Sequence, residues 1–482
     1  MLEKSHIKFT GLFSAAALIL WMALSSTSSS GCASRSSGDQ DKTPRAAGQL
    51  YENYCASCHG MYMERFAGED RQAMFAMPQN EMEEIIREGD YESGMPAFGE
   101  VFSEEEIEAV AEHILTDIKE EAGSHEYRPG FPEVVETEAL SFRIDTVASG
   151  LGIPWGMAWL PNGDMLVTER SGELFRFRDK KFEAMIDGVP RVYANGQGGL
   201  LDIKLHPDYE DNGWIYLAYS EPEGNGGNTA IMRARLDGNT LVDKEKIFKA
   251  QPNTRSGVHF GCRMAFDENN YLFFSVGERG HPPNAQDLTN HCGKIHRIHD
   301  DGRIPDDNPF VDTPDAMPTI WSYGHRNPQG LAFHPETGEL WETEHGPKGG
   351  DELNIIKKGT NYGWPEITYG INYDGTIITE DTAKAGMEQP VIYWTPSIAP
   401  CGMAFADAET YPQWANDIFS GSLSFRYVVR TDLEGNDVEK DEIMLREAGR
   451  VRSIETGPDG YLYIGVENPG FVFRLIPADS GI

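Results

Sequence analysis

The chain has 482 residues and carries 77 Asp and Glu against 41 Lys and Arg, a formal net charge of −36. That length suits one large domain with a small one beside it. The charge repels phosphate backbones, which excludes nucleic acid as a partner, and fits either solubility or the steering of a basic redox partner.

In chain order, Lys4 and Lys8 precede the apolar run GLFSAAALILWMAL, and SSTSSSGCASRSS follows. These are the charged start, short apolar core and small-residue cleavage zone of an export signal over residues 1–31. Gly31–Cys32 resembles a bacterial lipoprotein cleavage site, with Ser29 where such sites usually carry Leu. The expectation is a periplasmic chain that meets a membrane only through lipid on Cys32, with plain secretion as the alternative. With Cys32 used there and Cys55 and Cys58 in one motif, Cys262, Cys292 and Cys401 remain. That is an odd number, of which Cys262 and Cys292 could bridge.

Residues 44–122 read as a small all-α domain. SEEEIEAVAEHILTDIKEE predicts a helix opened by a capping box of Ser103 and Glu106, with Ile107, Val110, Ala111, Ile114 and Leu115 on one face. NEMEEIIREG predicts a second helix ended by Gly89, and RAAGQLYENYCASCHG a third. The last holds Cys55-x-x-Cys58-His59. Two thiols at that spacing add to the vinyl groups of one porphyrin edge, and the adjoining imidazole falls on the iron. A thioredoxin-type pair would want a βαβ context, and a zinc site a second ligand pair; neither is in this segment. ESGMPAFGE supplies the sixth iron ligand, because Met95 between Gly94 and Pro96 cannot sit inside a helix. Met61, Met63, Met74, Met77 and Met82 read as packing residues. CASCHG, GMPAFG and the final helix together resemble a class I cytochrome c. The resemblance implies covalent haem c with a His/Met iron, whose raised potential suits an electron acceptor.

Residues 123–138 form a polar, Pro-containing linker. From 139 to 478 one theme recurs, a turn rich in Pro, Asp, Asn or Gly followed by a strand: LPNGDMLVTE, HPDYEDNGWIYLAYS, FDENNYLFFSVGE, HPETGELWETE, YPQWANDIFSGSL and GPDGYLYIGVE. Six copies at this spacing predict six four-stranded blades closed into an all-β six-bladed β-propeller. Function is expected on the loops around its channel. Those loops contain Arg326, Arg450 and Arg452, suited to a ligand with several carboxylates. They also contain His259, a candidate general base, and HGPKGGDE, whose carbonyls and acids suit a hard cation. Taken singly, each has an ordinary reading: a solvated Arg pair, a structural His, a Glu352 that caps a turn.

The combination GQGGLLD, WSYGHRNPQGLAFHP, GGDELN and NYGWPEITYGINY resembles the soluble quinoprotein glucose/sorbosone dehydrogenases, above all the bacterial aldose sugar dehydrogenases that use pyrroloquinoline quinone (PQQ). The likeness spans residues from about 140 to 478. It implies oxidation of an aldose sugar at C1 to a lactone, with His259 as the base. It also implies a PQQ pocket of Gln197, Arg326, Asn327, His345, Tyr373, Arg450 and Arg452. Calcium on the Gly346–Pro347 turn and a second, structural calcium at Glu352 and Tyr362 complete the implied set. Where some relatives place a lysine against the cofactor, Ser424 stands here; Arg426 would share its face only on a regular strand. Cys262 and Cys401 replace small residues. The expected electron path runs from the propeller to the fused haem and then to an external acceptor, such as a soluble cytochrome or a respiratory-chain component. The alternative is a catalytically silent propeller that binds carbohydrate or protein beside an electron-transfer cytochrome.

Overall fold

The computed structural model describes residues 46–55, 63, 68–89, 95, 97–99, 101–122, 131–446, 448–467 and 470–478. Cys32, Cys58 and His59 lie outside them. Among the described residues the strands form six antiparallel sheets. Blades one to five take consecutive strands, over residues 154–185, 200–249, 264–323, 328–394 and 400–444. Blade six joins three C-terminal strands, Arg450–Thr456, Leu462–Glu467 and Gly470–Pro477, to the N-terminal strand Ser141–Leu151. The last strand pairs with the first, Phe142 opposite Pro477 and Leu151 opposite Gly470, so the ring is closed by the two ends of the domain.

The six sequence repeats all mark the same place. Each is the turn between the first and second strand of its blade, and each is closed by one backbone bond. The pairs are Leu160–Asp164, His206–Trp214, Asp267–Tyr271, His334–Glu339, Ala406–Asp417 and Gly457–Tyr461, with N···O distances of 2.8–3.1 Å. The second strands (Met165–Glu169, Leu340–Glu344, Ile418–Ser422 and Leu462–Glu467) are buried along their whole length. They are covered on both faces by neighbouring blades, which is why they read as apolar runs and not as alternation. The outermost strands, such as Lys181–Met185 and Asp437–Met444, carry Lys and Glu at exposed positions, which discourages edge pairing with another chain.

The first strands touch in a ring around the channel. Arg263 fills it. Its guanidinium donates to Gln329 O (2.9 Å), Trp155 O (3.1 Å) and Arg452 O (2.6 Å), faces Cys401 Sγ at 3.6 Å and Asp202 at 3.7 Å, and lies 3.9 Å from the Trp155 ring centroid. One side chain from blade three therefore reaches all five other blades.

In the small domain the helices are Ala47–Leu50 continued by Tyr51–Cys55, then Gly68–Ala76, Gln79–Glu88, and Glu104–His113 continued by Ile114–Ile118 and Lys119–Ala122. The sequence signals for Gly68–Ala76 are weak, and that helix is not anticipated. Ser103 and Glu106 form the capping box, and Gly89 (φ +71°) ends its helix. Met63 and Met82 are core residues; Met74, Met77 and Met95 pack against that core. The four described cysteines outside the signal region, Cys55, Cys262, Cys292 and Cys401, are all unbridged.

Removing Arg263 leaves buried carbonyls and Asp202 without a donor. Arg263→Met is expected to cost about 3–5 kcal/mol, read as a lowered urea midpoint for the propeller with the small domain's helical signal unchanged.

Candidate active site at the strand-end loops

In an antiparallel blade the start of the first strand and the end of the second lie at the same end. Gln197, His259, Arg326 and Arg450 stand just before or at the start of first strands. Glu169, Glu278, Glu344 and Glu467 stand at or just beyond the ends of second strands. The fold thus gathers them around one mouth. The glutamates are the residues that motif reading missed, although each closes one of the quoted repeats: LVTE, SVGE, ETE and GVE.

These glutamates pair with what precedes the neighbouring strand. Glu169 accepts from the backbone N–H of Gly152 (2.8 Å) and Ile153, and Glu344 from that of Arg326 (2.6 Å). Glu467 takes both Arg450 and Arg452. Burial pushes the Glu467 carboxyl up, but the two guanidiniums prevail and hold it at about 2. The arginine pair is therefore partly neutralised, which the sequence did not show. Arg452 Nε is buried and has no partner, so one donor remains for an anionic ligand.

His259 is held with φ +56°, in the left-handed region. Its backbone N–H donates to Gln197 Oε1 (2.8 Å), and its Nδ1 pairs with Glu278 Oε1. Gly277 makes this possible, since a Cβ there would lie 2.2 Å from the His259 carbonyl. With Nδ1–H given to a carboxylate, Nε2 is the basic atom. Burial lowers the His259 pKa, Glu278 opposes, and Arg326 adds to the lowering, so the ring is neutral near pH 7. His345 donates from Nε2 to Pro400 O (2.9 Å) and is held well below its ordinary value by burial and by Arg326, Arg452 and His259. These four side chains converge.

Other expected residues take different places. Asn327 Oδ1 accepts from Gly261 N (3.2 Å) and Gln329 Nε2 (3.3 Å), supporting the His259 loop from below. Tyr373 is half-buried in the turn closed by Asn372 and Thr376. Leu423–Phe425 is a turn and Arg426 has φ +60°, so the regular strand that would put Ser424 and Arg426 on one face is absent. The Gly346 carbonyl, expected to face a cation, accepts from Arg326 Nη1 at 2.8 Å, and the His345 carbonyl from the same nitrogen at 3.1 Å.

Behind them a hollow is lined by Glu344, Gly346, Glu352, Tyr362, Trp364 and Thr368. Donor atoms of His325, Glu342 and Glu344 all lie within 4.8 Å of one another. Asn354 Nδ2 bridges Glu342 (3.1 Å) and Glu352 (3.3 Å), and Glu342 Oε1 has no partner. Burial first, and then the charge of Glu344, drive Glu342 and Glu352 well above the carboxylate range. Clustered carboxylates with an orphaned oxygen fit a hard divalent cation. Tyr362 contributes its ring, stacked on His325 at 4.7 Å; its hydroxyl donates to Ile355 O (2.6 Å) and accepts from Lys357 N (2.8 Å).

Glu467 stabilises the fold above its unfolded pKa near 4.5, and that contribution is lost as pH falls through about 2. Glu467→Gln is expected to cost about 3 kcal/mol at pH 7 and to flatten the urea-measured stability profile between those pH values.

The Glucose / Sorbosone dehydrogenase family model matches residues 151–474, and that of cbb3-type cytochrome c oxidase subunit III matches residues 42–114. Aldose sugar dehydrogenase YliI of Escherichia coli K12 is 44% identical over 355 residues, 72% of this chain and 94% of that protein. The crystal structure of the soluble aldose sugar dehydrogenase from Escherichia coli in the apo-form is similar at TM-score 0.68 and 42% identity, covering 70% of this chain and 99% of that one. The PQQ-bound form of aldose sugar dehydrogenase from Streptomyces coelicolor is similar at TM-score 0.59 and 30% identity, covering 70% and 98%. The chain belongs to the glucose/sorbosone dehydrogenase family and carries a cytochrome c domain ahead of its propeller.

Proposed function

We propose that the protein is a periplasmic, PQQ- and calcium-dependent aldose dehydrogenase that oxidises sugars at C1 to lactones and passes the electrons to its own haem c. The observation that carries this reading is the His259–Glu278 dyad beside Arg326, His345 and Arg452. PQQ, when bound, supplies an electrophilic quinone that takes two electrons and the C1 hydrogen. The chain's own residues do the rest. His259 Nε2 takes the proton of the C1 hydroxyl, and Glu278 on Nδ1 stabilises the imidazolium that results. Arg326 and the free Nε of Arg452 offer donors to a tricarboxylate. The Glu342–Glu344–Glu352 cluster with His325 would hold one calcium. The PQQ-bound relative supports the cofactor. Covalent haem rests on Cys55, Cys58 and His59, with Met95 as the opposite ligand. Export through residues 1–31 and lipid at Cys32 supply the location.

Apoprotein given PQQ and Ca²⁺ should reduce a dye with aldoses; no activity with any aldose would overturn the reading. His259→Ala should lower kcat by about 10²–10⁴-fold. Activity should fall as pH drops through the His259 pKa, which lies below 6.5. Glu278→Gln removes the charge that raises this pKa, so its acid limb should move to lower pH while kcat falls.

Calcium removal is a separate test. Calcium at a hundredfold excess over its Kd should stabilise by about 2.7 kcal/mol. EGTA should lower the Tm accordingly, and the double change Glu342→Gln, Glu344→Gln should abolish the response.

A further inference from the structure

The small domain and the propeller meet at a contact that joins the two redox sites. Lys348 Nζ lies 5.1 Å from the centroid of the Tyr54 ring. On the propeller side, Lys348 is fixed by two backbone bonds with Ile371, N to O at 3.0 Å and 3.3 Å. It stands two residues beyond Gly346, whose carbonyl Arg326 holds, so its Cα is at most about 7 Å from that of Gly346. On the other side, Tyr54 precedes Cys55 directly. Its ring is set edge-on to Phe102 at 5.1 Å and to Phe98 at 6.1 Å, so it is anchored in the small domain's core.

We propose that the Lys348–Tyr54 cation–π contact docks the haem-attachment helix on the rim of the sugar-oxidising site and sets the path for electron transfer between them. This rests on the enzymatic reading above. Three further observations support it. Acidic residues far outnumber basic ones in residues 44–122, so a lysine on the rim attracts that domain over and above the ring contact. The propeller end of the linker is pinned, with Phe131 against Phe473 (5.3 Å) and Glu138 N on Glu442 (2.8 Å). The stretch from Ala122 to Phe131 spans at most about 32 Å, which keeps the small domain at high effective concentration near the rim.

Aldose oxidation yields two electrons and two protons per sugar. The electrons cross singly, each reducing ferric haem to ferrous, and an external one-electron acceptor reoxidises the haem between them; the protons leave to water. Lys348 and Tyr54 are positioning residues in this scheme.

The test uses the full chain with haem. Without PQQ, Lys348→Met should raise hydrogen exchange in residues 50–55, whereas Lys348→Arg should not. Tyr54→Phe keeps the ring and should behave as wild type; Tyr54→Leu should match Lys348→Met. With PQQ and Ca²⁺, sugar-driven haem reduction followed by stopped flow should slow at least tenfold in Lys348→Met, with dye reduction unchanged. Raising salt should slow the wild type toward the variant. Wild-type exchange and haem reduction in Lys348→Met would overturn the docking proposal even with dye activity intact. Absence of dye activity in the wild type would overturn the enzymatic reading, while exchange still decides whether the contact exists.

Discussion

The propeller's architecture depends on one buried guanidinium. A ring of blades has no single continuous core, and its centre is where strand ends expose carbonyls that no sheet partner satisfies. Arg263 has enough donors to serve several of them at once, and it reaches Trp155, Gln329, Cys401 and Arg452 from a strand of blade three. Asp202 at 3.7 Å offsets its charge, and a separate ion pair, Lys204–Glu455 at 2.6 Å, lies close enough to be felt electrostatically. A central charge of this kind sets the six first strands at fixed distances from one another. Because site residues sit at the starts of those strands, the same constraint fixes their mutual geometry.

The mouth repeats this logic with the opposite sign. Four blades end their second strand in or near a glutamate, and each glutamate holds something that enters the next layer: two backbone amides, an arginine's backbone, an arginine pair, a histidine. One structural device has therefore been turned to several uses. In blade one it only caps a turn. In blade three the same position orients His259 and sets its tautomer, and in blade four it contributes to a cluster whose charge calls for a cation.

How much of this was readable from sequence follows from what each signal encodes. The six turns were legible because a turn is local: Pro, Asn, Asp and Gly at fixed offsets dictate it, and all six close with the same backbone bond. His259, Arg326 and Arg452 were legible through resemblance, and the structure brings them together. The partners were not legible, because Glu278 is 19 residues from His259 and Glu467 is 15 from Arg452. Such pairings arise only when blades are stacked. Leu423–Arg426 failed for a related reason: strand alternation was assumed across a segment where the chain turns to leave the sheet.

The same distinction bears on why a haem domain is fused here. A dehydrogenase that takes two electrons from a sugar must release them one at a time, and a tether makes the first acceptor local without improving any contact. Tethering alone does not choose an orientation, since a flexible link lets the small domain present any face. A single cation over an aromatic ring contributes about 0.5–1 kcal/mol at an exposed site, too little to hold two domains together permanently but enough to bias a tethered encounter. A weak, screened contact beside the haem attachment suits this task. It favours the productive face while electrons cross, and it still releases the domain to meet an external acceptor.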